Sequence, residues 1–392
     1  MSSNTGVSST DYNRDLISDS ETDFILAGCR VNCRLDGRQR LDFRPYQIIS
    51  NDSINNGDND TELLPLSHGS ARLIGSTGHA ATEQQHLLCS VKAELVRPSV
   101  QAPRRGVVEL HVTSGPGPPK GSNGNTTTPT KRDLDRAQQV LSQLLDGRWV
   151  DANALCCCGD VVWKLAVDVL VVEAAGGSLV DCAARVIAAG LAATQLPHVV
   201  TSTGGSSGSS NHDTATMTTS DPTTTTSIRV DTDYAKSRPI PLPTILWDSV
   251  PTTTTLSVCI ITVAVLQDFD LATKRPLYSL IVDATLAEEA CALALVHVGV
   301  QWARTVRNDD GLPASQPPTA RIVGLHKTQP GALPLVLLPD IAQTALEAAE
   351  KADAAFVRVR NNTSSSLPKR RTTTNQSTLL QEQFQWVMVD HR

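Results

Sequence analysis

Hydrophobic and polar residues alternate along one long segment near the middle of the chain. Between Val161 and Val172, Trp163 and Leu165 share one face with the valines that follow at every second position, whereas Lys164 and Asp168 fall on the other face. Because successive side chains of a strand point to opposite sides, this period of two predicts a strand that is buried on one face and partly exposed on the other.

A turn and a helix are predicted directly after this strand. Gly176 and Gly177 favour a tight turn, and hydrophobic residues then recur at helical spacing from Leu179 to Leu191. Ser178, followed three positions later by Asp181, is typical of a helix N-terminus, where side chains accept hydrogen bonds from backbone N–H groups. We therefore expect Asp181 to be a structural cap of this helix.

The same order of strand, turn and helix recurs later in the chain. A strand is predicted to end at Leu280 to Asp283, Thr285 and Glu288 form another capping-box pattern, and Ala290 to Val300 continue as a helix. This repetition hints at an internal duplication.

The remaining elements complete an α+β pattern. One further helix is predicted from Asp340 to Phe356, opening after Pro339. Four short strands are predicted upstream, at Phe43 to Ser50, Gly69 to Leu73, Leu87 to Ala93 and Val107 to Val112. Strands in runs, followed by strand-to-helix units, are typical of an α+β domain with a mixed sheet.

Several tracts rich in Ser, Thr, Gly, Asn and Pro are predicted to lie outside the folded core, because such compositions bury too little apolar surface to offset the entropy of ordering. We expect one folded domain over 21–360, with insertions near 51–61, 114–130 and 201–227. Residues 1–20 are expected to form a disordered tail, 361–378 a low-complexity basic and Thr-rich segment, and 379–392 a C-terminal tail.

Composition limits the function. The chain of 392 residues is 40% hydrophobic with a net charge of −6, and an acidic balance argues against a free-standing nucleic-acid binder. No apolar run approaches the ~20 residues of a membrane helix, so we expect a soluble intracellular protein without membrane contact. The odd count of nine cysteines argues against a disulfide framework. Cys29, Cys33 and the run at 156–158 lack the spacing of a zinc site, and we expect neither a metal nor a cofactor.

Five stretches, in this order, resemble the RNase PH family: residues 34–44 (RLDGRQRLDFR), 69–72 (GSAR), 89–95 (CSVKAEL), 163–197 and 282–292 (VDATLAEEACA). The resemblance implies the RNase PH fold, built from duplicated units of the ribosomal protein S5 domain 2 type with helices packed on mixed sheets. It also implies a place in the six-membered ring of an RNA exosome. The expected partners are other RNase PH-like ring subunits, cap subunits of the S1/KH type, an associated exoribonuclease and single-stranded RNA. The expected locations are the nucleus, nucleolus and cytoplasm.

Catalytic members of this family bind phosphate where this chain has Gly176-Gly177-Ser178, at a helix N-terminus that favours an anion. They carry a small residue where this chain has Asp181, and a carboxylate there repels phosphate. We therefore expect a non-catalytic subunit with no catalytic residues. The alternative is an active phosphate-dependent 3′-to-5′ exoribonuclease, for which Asp283, Glu288 and Glu289 would supply the acidic groups; capping is the simpler role for Glu288 and Asp283.

A loop between two predicted strands carries Arg97, Arg104 and Arg105. In the family the matching loop faces the channel of the ring and contacts the RNA backbone, and the planar donors of arginine suit phosphate. We expect these residues to bind RNA; the alternatives are a solvated turn and a contact with a neighbouring subunit. The histidines at 68, 79, 86 and 111 are expected to be solvated surface residues.

Overall fold

The computed structural model describes residues 17–50, 64, 66–76, 84–115, 129–145, 147–158, 161–174, 176–203, 217–218, 226–231, 236–240, 254–270, 272–305 and 319–363. The predicted insertion near 51–61, most of that near 114–130, the segment after 363 and His79 lie outside these residues. Within them the chain has a mixed α+β fold, as the sequence predicts.

The first of two main sheets is mixed. Its strands run in the order β1-β2-β3-β6-β4, and β5 pairs with the first residues of β6. Strand β4 is parallel to β6, and the other pairs are antiparallel. The strand bounds are β1 Tyr46–Ser50, β2 Gly69–Ser76, β3 Gln84–Val96, β4 Val107–Ser114, β5 Cys156–Cys158 and β6 Val161–Ala174. The alternation in β6 is confirmed, because Trp163, Leu165 and Val167 are buried whereas Lys164 and Asp168 are only partly so.

Two helices cover the buried face of this sheet. Helix α2 (Lys131–Leu145) places Val140 and Leu141 in the core, and α3 (Leu179–Ala192) adds Val186 and Ile187. Helix α3 is the one predicted after the Gly-Gly turn. Helix α2 was not predicted from the pattern, although its apolar residues recur at helical spacing.

The second main sheet is antiparallel throughout. Its order is β13-β12-β14-β15, with bounds β12 Thr254–Phe269, β13 Pro276–Val282, β14 Ala294–Thr305 and β15 Thr319–Thr328. The helices on this side are α1 (Asp19–Arg30), α4 (Leu286–Cys291) and α5 (Leu338–Thr363), and a short 3-10 turn at Leu335–Leu337 precedes α5. None of the described helices is long and apolar enough to cross a membrane.

One helix from each half of the chain packs against the sheet of the other half. Helix α3 packs against β2 and β3 of the first sheet and also against β12 of the second, while α5 packs against β12 and β14 and also against β1. The apolar core is therefore shared by the two halves. The candidate site lies where the turn before α3 meets the turn after β13.

One predicted helix is a strand. Ala290 and Cys291 end α4, and the residues from 294 to 300 belong to β14, which lies between β12 and β15. Every residue from 294 to 300 is buried. A central strand that is apolar on both faces shows no period of two, so hydrophobic pattern alone cannot distinguish it from a buried helix.

The predicted insertion at 201–227 is bounded by paired strands rather than by loops. Strand β8 (Val199–Thr203) pairs antiparallel with β10 (Thr226–Val230), and β9 (Met217–Thr218) pairs with the other side of β10. A two-stranded ribbon of β7 (Gln195–Leu196) and β11 (Arg238–Pro239) lies beside it in sequence. The tract between these strands lies outside the described residues.

Candidate functional site

Two strand-to-helix turns face each other where the two halves meet. Ser178 (φ 50°) precedes α3 and Asp283 (φ 49°) follows β13, and both adopt the left-handed conformation that L-residues rarely adopt. The Ser178 hydroxyl donates to the carbonyl of Ala284 at 3.3 Å. Gly177 is also left-handed, and a Cβ there would lie 2.6 Å from the Ala284 oxygen. Only glycine permits this approach of the two turns.

The N-terminus of α3 is filled by groups from this chain. The backbone N–H of Ser178 donates to Oε1 of Glu289 at 2.6 Å. Gln85 accepts from the N–H of Gly176 at 3.1 Å and donates to the carbonyl of Gly177 at 2.8 Å, while Arg44 donates to the carbonyl of Gly176. A carboxylate from α4 thus lies against the N-cap residue of α3, beside the helix N-terminus that would attract an external anion.

Glu289 carries this contact at an electrostatic cost. Burial raises the pKa of its carboxyl to about 7, although the N–H of Ser178 and the charge of Arg44 favour the ionised form. Near neutral pH the group is therefore divided between its ionised and protonated forms.

Asp283 is the centre of a buried cluster of cations. Its Oδ2 accepts from the backbone N–H of Arg44 at 2.7 Å, from Arg44 Nε at 3.0 Å and from Arg38 Nη1 at 2.8 Å. Its Oδ1 accepts from the Tyr46 hydroxyl at 2.7 Å. Burial acts to raise its pKa, but Arg44, Arg38 and Arg185 outweigh burial and hold the pKa well below its usual range. Asp283 is therefore a structural counterion with both oxygens engaged, and not the helix cap expected from the sequence.

Glu288 combines two structural roles. It closes the capping box with Thr285, which confirms that prediction. It also pairs with Arg34, whose Nε and Nη2 donate to the two carboxylate oxygens at 2.8 and 2.5 Å. Arg34 also donates to the carbonyls of Val282 and Asp283, so four hydrogen bonds hold a guanidinium that is buried from solvent.

Asp181 does not cap α3, which corrects the sequence-based expectation. The Ser178 side chain makes no capping hydrogen bond either. The carboxylate of Asp181 instead accepts from the backbone N–H of Thr262 on β12 at 3.0 Å, and from the Thr262 hydroxyl. Burial raises the pKa of Asp181 to about 6, and the two bonds from Thr262 act against that rise. The contact joins the two halves of the chain.

Arg97, Arg104 and Arg105 are exposed on the loop that joins β3 to β4. The turn is closed by N–H groups of Ala102 and Arg105, which donate to the carbonyls of Ser99 and Ala102. This loop follows the end of β3 opposite Gln85, and a strand of that length spans on the order of 35 Å. The three arginines are therefore remote from the buried acidic cluster.

The histidines differ from the expectation of solvated residues. His68 accepts from the N–H of Ala93 at 3.0 Å, and His86 accepts from Arg72 Nε at 2.9 Å; both are half-buried, and burial lowers the pKa of each, for His86 to about 4. His111 is exposed, as expected. Sequence reasoning missed His297, which lies buried on β14 and bonds to two threonines.

The arginines of the 34–44 segment were also missed as site residues, although the RLDGRQRLDFR motif carries them. Its dense alternation of Arg and Asp was the available signal, because cations so close together need counterions when buried. In the part of the chain that the structure describes, no three His, Cys, Asp or Glu side chains form a set that could hold a metal ion.

Comparison with known proteins gives matches to archaeal exosome proteins. No family model matches the chain. It is 28% identical over 203 residues to exosome complex component Rrp42 of Sulfurisphaera tokodaii and 26% identical over 193 residues to that of Archaeoglobus fulgidus. These matches cover 49% and 47% of this chain, and 63% of each relative's own length.

Solved structures match over more of the chain. One is an archaeal exosome core, with a TM-score of 0.52 and 16% identity over 89% of this chain and 97% of that one. Another is the exosome of Archaeoglobus fulgidus with RNA bound to its active site, with a TM-score of 0.53 and 17% identity over 88% and 98%. At this identity the structural likeness concerns the fold.

Proposed function

We propose that this chain, a distant homologue of exosome component Rrp42 with the fold of an RNase PH-like exosome core subunit, is a non-catalytic subunit of an exosome ring. In this role it completes a hexameric core and borders the path of RNA undergoing 3′-to-5′ processing and decay. Its partners are catalytic-type RNase PH-like neighbours, S1/KH-type cap subunits and an associated exoribonuclease. Its location in the nucleus, nucleolus and cytoplasm is part of the same proposal.

The contact between Glu289 and Ser178 carries the proposal. Phosphorolysis needs a phosphate at the N-terminus of a helix, and here a carboxylate of the chain holds the N–H of Ser178, the N-cap residue that precedes α3. Asp283, the other acidic group beside this turn, accepts from Arg38, Arg44 and Tyr46 and has no oxygen left to act on a substrate. An anion that enters this position must displace the carboxylate of Glu289.

The loop of Arg97, Arg104 and Arg105 is proposed to contact RNA. Its support is the exposure of all three side chains on one short loop of a chain whose net charge is −6, since a few positioned cations suffice to contact RNA phosphates. A related archaeal exosome has been solved with RNA bound to its active site.

An RNA degradation assay tests the absence of catalysis. We expect the purified full-length chain to release no nucleoside diphosphates from a single-stranded RNA, with or without inorganic phosphate. Phosphate-dependent release that disappears in D283N, with the D283N fold verified by circular dichroism, would establish the active exoribonuclease instead. Release that persists in D283N marks a contaminating nuclease.

Affinity purification tests the assembly. A tagged chain isolated at native level and analysed by mass spectrometry is expected to bring down RNase PH-like and S1/KH-type proteins in comparable amounts. Recovery of the chain as a monomer would contradict the ring. Imaging of the same tagged chain tests the three compartments.

A further inference from the structure

A chain of buried polar side chains runs from α3 through three strands of the second sheet. Asp181 accepts from the hydroxyl of Thr262 on β12, and that hydroxyl oxygen lies 2.8 Å from Nδ1 of His297 on β14. Nε2 of His297 lies 2.9 Å from the hydroxyl oxygen of Thr328 on β15. All four side chains are buried, so each polar atom depends on the next for its hydrogen bond.

The number of protons on these groups fixes the direction of every bond when Asp181 is ionised. A carboxylate only accepts, so the single hydroxyl proton of Thr262 points to Asp181. The Thr262 oxygen must then accept from Nδ1–H of a neutral His297. Its Nε2 carries no proton in that tautomer and accepts from the hydroxyl of Thr328.

Protonation of Asp181 reverses the chain. The carboxylic acid donates its proton to the Thr262 oxygen, while its other oxygen keeps the backbone N–H of Thr262. The Thr262 hydroxyl is then free to donate to Nδ1 of His297, and the ring proton moves to Nε2, which donates to Thr328. In both directions each of the three side-chain contacts keeps one donor and one acceptor, and one proton is added at Asp181 without any heavy atom changing place.

We propose that Asp181, Thr262, His297 and Thr328 form a proton-coupled tautomer switch, in which the protonation state of Asp181 sets which ring nitrogen of the buried His297 carries hydrogen. The proposal does not depend on the absence of catalysis. The contact between the halves is thereby maintained in both states.

The charges around the two ends are compatible with this exchange near neutral pH. Burial raises the pKa of Asp181 to about 6. Arg185, one turn along α3, acts to lower this pKa, and Asp283 acts to raise it. The carboxyl of Glu289 on α4 also interacts with Asp181. Burial lowers the pKa of His297 to about 3, and His326 on β15 and Arg136 on α2 lower it further. The imidazole therefore stays neutral while Asp181 titrates, so only the position of its single ring proton changes.

Nitrogen NMR of the histidine rings tests the switch directly. The full-length chain is labelled with ¹⁵N-histidine, and long-range spectra are recorded from pH 5 to pH 8, since protonated and unprotonated ring nitrogens resonate far apart. The His297 signal is assigned by its loss in H297N, or by removing the other histidines if that chain does not fold. We expect Nε2–H at pH 5 and Nδ1–H at pH 8. One unchanged tautomer over this range, in the unmodified chain, overturns the proposal.

Two variants sharpen the result. In D181N the amide oxygen replaces the acceptor for the Thr262 N–H and the amide nitrogen donates to the Thr262 hydroxyl oxygen, so we expect Nε2–H at every pH. In T262V the connection is cut, and we expect a tautomer that no longer changes with pH. A pH-dependent His297 in either variant would mean that some other group sets the tautomer, and the proposal would fail. Because the unmodified chain is decisive alone, a variant that does not fold leaves the test intact.

Discussion

Arg34 and Glu288, which are far apart in the sequence, form a buried ion pair with hydrogen bonds of 2.8 and 2.5 Å to the two carboxylate oxygens. The pair joins the segment after α1 to the N-terminus of α4. Its geometry also explains why both residues are tolerated inside the protein, because the remaining guanidinium donors bond to the carbonyls of Val282 and Asp283.

Removing one partner of this pair should strongly destabilise the fold. We expect R34M to lower the free energy of unfolding by about 3–5 kcal/mol, because it leaves Glu288 buried without its cation. The matched control is R30M, since Arg30 pairs with Asp268 in a more exposed position and its loss should cost about 1 kcal/mol or less. Urea unfolding followed by circular dichroism measures both. Equal losses in the two variants would contradict the structural role of the Arg34 pair.

Two buried carboxyl groups should contribute stability that falls as pH rises from about 4.5 to 8, whereas the lowered pKa values of His68, His86 and His297 act in the opposite direction. Glu289 has a pKa raised to about 7 and Asp181 to about 6 by burial, so at these two groups the folded state binds more protons than the unfolded state in this range. The contribution of each group is present in full below its unfolded pKa and is lost as pH rises through its folded pKa. The lowered pKa of Asp283 acts below this window and does not oppose the trend.

The variant E289Q isolates one of these groups. Its amide oxygen can still accept from the N–H of Ser178, but it does not titrate. We expect the urea midpoint at pH 8, taken relative to that at pH 5, to be higher in E289Q than in the unmodified chain. The same relative midpoint in both proteins would show that Glu289 does not contribute to the pH dependence.

Reversal of charge on the exposed arginine loop should weaken RNA binding without loss of assembly. We expect R104E/R105E to reduce the salt slope of RNA binding by the assembled ring by roughly 1.4, since each contact with a single-strand phosphate adds about 0.7. The effect should be the same for any RNA sequence. Filter binding at several salt concentrations measures the slope.

An adjacent pair of exposed cations elsewhere provides the control. Lys131 and Arg132 begin α2, and K131E/R132E makes the same change in charge. If both double variants change the slope equally, the effect is one of total charge. If R104E/R105E fails to elute with the ring on size-exclusion chromatography, the loop contacts a neighbouring subunit instead of RNA.

Shortening of the tract at 204–216 to about six residues should leave the fold intact, because a connection must remain across the two strand spacings, about 10 Å, that separate β8 from β9 on opposite sides of β10. Shortening a surface connection changes the entropy of loop closure by only about 0.6 kcal/mol for each halving of its length. By contrast, removal of 199–230 deletes strands β8 to β10, and Val199 and Val230 pack against the first core. We expect a nearly unchanged melting temperature for the first deletion and a clear fall for the second. A large fall for the first would show that the tract is structural.

Local sequence pattern was sufficient to predict several elements whose two faces differ, although α2 was missed. Strand β6, helix α3 and the capping box at Thr285 follow from local pattern, and the structure has them where they were expected. Strand β14 could not be predicted in this way because the second sheet buries it on both faces. The partner of Asp181 was equally hidden, since a Ser-x-x-Asp pattern describes contacts within one helix and the carboxylate bonds to a strand of the other half.

The exchange of contacts between the halves has a consequence for synthesis of the chain. Arg34, Arg38 and Arg44 leave the ribosome early, whereas their counterions Asp283 and Glu288 are made much later. At translation rates of roughly 5–20 residues per second the interval lasts on the order of ten seconds or more. Throughout it the first half holds cations that cannot be buried and a helix α3 that lacks the strand β12 it packs against. Until the second half has been synthesised, the first half therefore lacks the counterions of its arginines and the strand that covers α3, and a chain that ends before residue 283 cannot form these contacts.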